Sequence, residues 1–148
     1  MVLGLIAGLY RARRAVLLTC VGTWLIAAVA THIPAPQHIP VRVSDKTLHL
    51  VGFFVLASLF WLSLTAYGVR GWRRMIAVAC IMAVYAAIDE ATQAWTRRDP
   101  DVGDWLADVI GTVLAVGVFE IVTWVGRKTL RRLGAPRAAR ERDHSLPP

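Results

Sequence analysis

Acidic side chains are scarce in this chain, with ten Asp and Glu among 148 residues against 17 Lys and Arg. Charged residues of either sign make up only 18% of it, while 56% are hydrophobic and mean hydropathy is +0.51. That balance excludes an ordinary water-soluble domain. Only two cysteines occur, Cys20 and Cys80, both inside apolar runs and without metal-like spacing. They read as packed thiols rather than a disulfide or a redox pair. No Gly-rich phosphate loop and no nucleophile elbow appears. No internal repeat is evident, and the length suits one domain.

The long apolar runs dominate. Crossing the hydrocarbon core takes about 20 residues at about 1.5 Å rise each. Four segments qualify: Ala15 to Ile33, Leu48 to Ala66, Met75 to Trp95 and Val102 to Val125. Thirteen of the 17 basic residues lie before the first (Arg11, Arg13, Arg14), between the second and third (Arg70, Arg73, Arg74), or after the fourth from Arg127 to Arg142. The net charge of +7 is therefore a topology signal rather than a nucleic-acid footprint. Tyr10, Tyr67, Trp72 and Trp124 mark one interface, Trp95 and Trp105 the other. The expected fold is an all-α four-transmembrane-helix bundle in a bacterial cytoplasmic membrane, surrounded by lipid, with both termini cytoplasmic. It divides into a basic N-terminal segment (1–14), a membrane domain (15–126) and a basic tail (127–148).

Arg11 to Arg14 followed by a run ending Ala28-Val29-Ala30 also resembles a signal peptide. The run continues to Ile33, nearer span length, so the first segment is taken as a span. The loop from Thr31 to Ser44 holds Pro34, Pro36 and Pro40, which exclude regular helix through it. His32 and His38 fall there and read as solvated. From Gly134 onward the tail lacks apolar periodicity and reads as disordered.

The few acidic residues gather at segment ends: Asp45, then Asp89 and Glu90, then Asp99, Asp101, Asp104 and Asp108. The topology brings all three groups to one side, with only Arg42, Lys46, Arg97 and Arg98 to balance them. Asp45 and His49 are four apart on one helix face, continued by Gly52. In the third span Ala79, Ala83, Ala86, Glu90 and Ala94 share a side, with Gln93 three beyond Glu90. In the fourth, Asp101, Asp104, Asp108, Gly111 and Ala115 form one stripe of carboxylates above small residues. Small residues let membrane helices approach closely. The third and fourth spans are thus expected to pack together and direct Glu90 towards Asp104 and Asp108. Seven carboxyls at low dielectric cannot all stay ionised unpaired. Arg98, Lys46 and His49 could neutralise some, a divalent cation could bind at Glu90, Asp104 and Asp108, or one carboxyl could keep a proton. Glu120 is isolated and expected to snorkel or pair with Arg127.

At these residues the chain resembles the VanZ-like family of small bacterial membrane proteins. That family is similar in carrying Asp-Lys-x-x-His, then Glu-x-x-Gln, then Arg-x-x-Asp-x-x-Asp-x-x-x-Asn-x-x-Gly. The matching positions are Asp45, Lys46 and His49; Glu90 and Gln93; and Arg98, Asp101, Asp104, Asp108 and Gly111. Asp108 stands where the family usually has asparagine, and Thr96-Arg97 replaces a common Pro-Gly. The resemblance implies a link to the cell envelope, since the founding member confers low-level teicoplanin resistance. It implies no established reaction.

Two functional expectations follow. One is a pocket at the outer interface for an envelope component, a lipid-linked saccharide or a phospholipid headgroup. There Lys46 and Arg98 would hold an anionic group, His49 and Glu90 would transfer protons, and Asp104 and Asp108 would orient the arginine or hold a cation. Asp45, Gln93 and Asp101 complete that binding set. The other is a non-enzymatic scaffold or partner subunit whose polar cluster only locks the helices together. Transport ranks below both, because four spans make a thin bundle unless they oligomerise.

Overall fold

A computed structural model describes residues 8–32, 44–93, 95 and 101–143, and the side chains among them except 130 and 133–143. Four helices follow one another: α1 (Arg13–His32), α2 (Asp45–Ala66), α3 (Trp72–Gln93) and α4 (Val102–Asp143). Each carries a stretch long and apolar enough to cross a membrane, ending at Thr129 in α4. No strand occurs among the described residues.

Local chemistry sets the helix ends. Ser44 is extended and its hydroxyl accepts from the Thr47 N–H at 3.4 Å, capping α2. That cap starts the helix at Asp45, three residues before the apolar run, so Asp45 and Lys46 project from its first turn. Between α2 and α3 the chain reverses through Gly68 and Gly71 at φ 85° and 62°, a region in which side chains are strained. Asp101 caps α4, its carboxylate accepting from the Gly103 N–H at 2.7 Å.

The chain divides into two units, 1–117 and 118–148. In the first, Leu56, Ala57, Val78, Met82, Ala86 and Ala115 are buried, small residues prominent among them. Close backbone approach is sharpest at Gly111, where an added Cβ would collide with the Leu50 carbonyl oxygen and lie 3.1 Å from Phe54 N. The small-residue stripe of α4 therefore meets α2 at this point, where packing on α3 was expected. Around the core the surface is apolar: Leu18 and Ile26 are each 71% exposed and Val113 61%. A large exposed apolar surface marks a lipid or partner contact, and here it surrounds helices of spanning length.

At the end of this unit holding the α2–α3 turn, the Arg13 guanidinium sits 5.8 Å from the Tyr67 ring centroid. Arg74 is buried there, 3.7 Å from the Trp61 ring centroid, and donates to Thr65 Oγ1 at 2.9 Å. The topology patch thus includes one arginine built into the packing. Cys20 is buried as expected, whereas Cys80 is exposed on the apolar face; both are free thiols.

In the second unit α4 runs on to Asp143, past Gly134, where the sequence pattern suggested the end of regular structure. The alanines and arginines of that stretch are strong helix formers, so losing apolar periodicity removes a packing face without removing helical propensity. Glu120 Oε2 lies 4.0 Å from an Arg127 guanidinium nitrogen, the expected pairing.

Candidate functional site

His49 is the hub. It sits one turn into α2, is buried, and its Nδ1 donates to Asp108 Oδ1 of α4 at 3.0 Å. With Asp108 ionised, the carboxylate only accepts and the ring proton lies on Nδ1. His49 Nδ1 also lies 3.9 Å from Glu90 Oε1 of α3, and Nε2 lies 3.9 Å from Asp104 Oδ2. Two helices, α3 and α4, thus present three carboxyl groups to one imidazole. Asp108 is wholly inaccessible, and its second oxygen has no hydrogen-bond partner among the described residues.

Gln93 joins the acidic pair of α3. Its amide nitrogen donates to Asp89 Oδ2 at 3.1 Å and Glu90 Oε1 at 3.3 Å, so one amide group spans two carboxylates. Glu90 Oε2 accepts from the Asp101 N–H at 3.0 Å, which fastens the start of α4 to α3. Lys46 completes the junction, with Nζ 2.6 Å from Asp101 Oδ2 and 3.3 Å from Asp104 Oδ1. Asp101 lies outside the spans. The Lys46 hydrogen bond, and after it the Gly103 N–H, hold its carboxyl below the usual carboxylate range.

Of the residues singled out from sequence, Asp45, Lys46, His49, Glu90, Gln93, Asp101, Asp104 and Asp108 come together. Arg98 lies outside the described residues, as does His38. Asp89 was noted in an acidic cluster but given no role. It is buried and accepts from Thr31 Oγ1 of α1 at 2.9 Å. His32, expected solvated in the loop, ends α1 instead, with Nε2 2.9 Å from Thr92 Oγ1 of α3. Two polar side chains at the end of α1 thereby fasten it to α3. The Thr31-His32 pair beside Asp89 and Thr92 was the available signal, though no local spacing joins them.

For a metal, Glu90, Asp104 and Asp108 do not by themselves form a compact set. The sets whose ligand atoms lie within 4.8 Å of one another are Asp45, His49 and Asp104, and His49, Asp89 and Glu90. Each contains an imidazole, a donor that suits zinc, iron or nickel better than magnesium or calcium. His49 belongs to both sets and already uses Nδ1 towards Asp108, so the two could not be filled alike.

Beside His49 opens a cavity of about 290 Å³ between α1, α2 and α3. Its polar end is formed by Thr31, Asp45, His49 and Asp89, its apolar part by Ala27, Phe53 and Leu56. Tyr85 closes one wall, stacked on Trp24 at 4.8 Å and tilted against Phe53 at 5.5 Å. Gly52 leaves room inside, since an added Cβ there meets nothing within 4 Å. Chemically, the arrangement can hold a small polar group against carboxylates and an imidazole while sheltering a short apolar stem.

A protein-family pattern described as VanZ/LLP1 matches residues 16–123. No curated protein and no solved structure matches the chain.

Proposed function

This chain belongs to the VanZ/LLP1 family, and from that premise we propose that it is a multi-pass membrane protein binding or modifying an amphiphilic envelope component at the outer face of the cytoplasmic membrane. The observation that carries this reading is the cavity, which grades from Phe53 and Leu56 to His49 and Asp89 within one depression. A lipid with a polar head has that same gradient. At about 290 Å³ the space is near the lower limit of ligand cavities, roughly 300–1,000 Å³. It suits a headgroup and the first part of a chain rather than an entire lipid. His49, held by Asp108 and flanked by Glu90 and Asp104, is the group best placed to take or give a proton. A link to glycopeptide resistance belongs to this reading only through the family.

The second reading, a scaffold locked by its polar cluster, draws support from the fully internal bonds of Gln93 and Asp108. Asp45→Asn, on an exposed residue of the cavity lining, and Arg98→Lys separate the two. For a working pocket, both variants keep their melting temperature in detergent and lose an envelope phenotype. For a scaffold, stability and phenotype fall together.

A further inference from the structure

The His49 imidazole is only 4% exposed and is held by one hydrogen bond, from Nδ1 to Asp108 Oδ1 at 3.0 Å. With the ring proton on Nδ1, the lone pair stands on Nε2, and no hydrogen bond reaches that nitrogen among the described residues. Nε2 is turned towards Asp104 Oδ2 at 3.9 Å. Lys46 does not use that oxygen, since its Nζ lies on Oδ1 of the same carboxylate. Two acceptors that face each other are joined by a proton or by a metal ion. Asp45 decides between these, because it adds a third donor: Asp45, His49 and Asp104 each offer a ligand atom within 4.8 Å of the others. A proton bridges two atoms, whereas three converging donors suit an ion. Asp108 is the second sign. A histidine that ligates a metal through one nitrogen almost always donates its other N–H to a carboxylate, carbonyl or water, which fixes the ring. The wholly inaccessible Asp108 carboxylate holds that place.

We propose that His49 Nε2, Asp104 Oδ2 and the Asp45 carboxylate bind a divalent transition-metal ion of the zinc type, with Asp108 as the positioning residue. An imidazole with two carboxylates suits zinc better than magnesium or calcium. Each bond to zinc is about 2.0–2.2 Å long, so the 3.9 Å between Nε2 and Asp104 Oδ2 is already within the span of two such bonds. Asp45, exposed in the first turn of α2, closes the remaining gap by rotation of its side chain. Three protein ligands leave a fourth position open, as in catalytic zinc sites. Asp45 and His49 line the cavity, so that position adjoins it. The proposal does not depend on the pocket reading, because an ion here stabilises a scaffold as readily as it serves a pocket.

The test uses the full chain in nanodiscs, stripped with a chelator and titrated with zinc against a colorimetric zinc indicator. Zinc is expected to bind in a form that magnesium in large excess does not displace. Asp108→Asn keeps an acceptor for Nδ1 but loses the charge behind it, and should weaken zinc binding about 10–100-fold with no loss of melting temperature in zinc-free buffer. Asp45→Asn, on an exposed residue, removes a ligand and should weaken binding at least as much, again without loss of melting temperature. A parent chain that binds no zinc overturns the proposal. So does zinc held equally by the parent, Asp45→Asn and Asp104→Asn, since the ion then sits on other histidines or on the thiols. Displacement by magnesium overturns the part given to the imidazole. Unchanged zinc affinity in Asp108→Asn, with loss of binding in Asp45→Asn, overturns the positioning role of Asp108 and supports the three ligands.

Discussion

His49 and Asp108 decide the site at the level of single side chains. Removing the imidazole leaves an inaccessible carboxylate facing the acidic groups of Glu90 and Asp104 without its donor. Breaking a buried pair from one side costs roughly 3–5 kcal/mol. His49→Ala is therefore expected to lose stability of that order in denaturant unfolding in detergent. Asp108→Asn behaves differently, because its amide oxygen still accepts from Nδ1 and one negative charge leaves the cluster. Its melting temperature should match or exceed that of the parent. The double variant should lose less than the sum of the singles, with a coupling of about 0.5–3 kcal/mol; strict additivity would mean the two side chains do not interact. Most of this was legible beforehand, since the four-residue spacing of Asp45 and His49 and the stripe through Asp108 already pointed inward. Asp89 was not. Its partner Thr31 is 58 positions away on another helix, a relation that no local spacing carries.

Helix approach follows the same division between what a pattern specifies and what it leaves open. The run Asp104, Asp108, Gly111, Ala115 marks a face of α4 that comes close to something, but small residues do not name the neighbour. α2 and α3 both offer small side chains, and at Gly111 the backbone of α2 takes the place. Gly111→Ala would push directly on that backbone, which yields only if the helices separate. Overpacking of this kind costs about 1–3 kcal/mol. Gly117→Ala is the control, because a Cβ there meets nothing within 4 Å, and better helix propensity should make it neutral or slightly stabilising. Equal losses in thermal unfolding of both variants would refute close approach at Gly111. The start of α4 adds a pH-dependent element. The folded-state carboxyl of Asp101 is held below its ordinary value, principally by Lys46. Its contribution is complete above the ordinary carboxylate range, about 4, and disappears as pH falls through the lowered value. Melting temperature should thus decline on the acid side in the parent and decline less steeply in Asp101→Asn. An unchanged acid limb in the variant would show that the Lys46 clasp contributes nothing.

At the scale of the molecule, the apolar exterior and the separated ends of the first unit turn the functional question into one of sidedness. The fourfold run of apolar segments made the spans legible, and the bounds of the membrane-crossing stretches, the last ending at Thr129, differ from the expected ones by only a few residues at each end. Charge placement predicted which ends belong together. Thr31, His49 and Asp89 do share one end, and Arg13 with Tyr67 the other. The side of the membrane each end occupies depends on the basic excess acting as a cytoplasmic anchor. Single cysteines at Thr47, exposed beside the site, and at Arg73, exposed at the opposite end, convert that reliance into a measurement. With Cys20 and Cys80 replaced, Thr47→Cys should react with an impermeant maleimide in intact cells, and Arg73→Cys only after the membrane is opened. The reverse pattern would place His49 and its carboxylates towards the cytoplasm. An envelope ligand could then reach the cavity only from the inner leaflet, and the proton-transfer role of His49 would have to be sought in cytoplasmic chemistry instead.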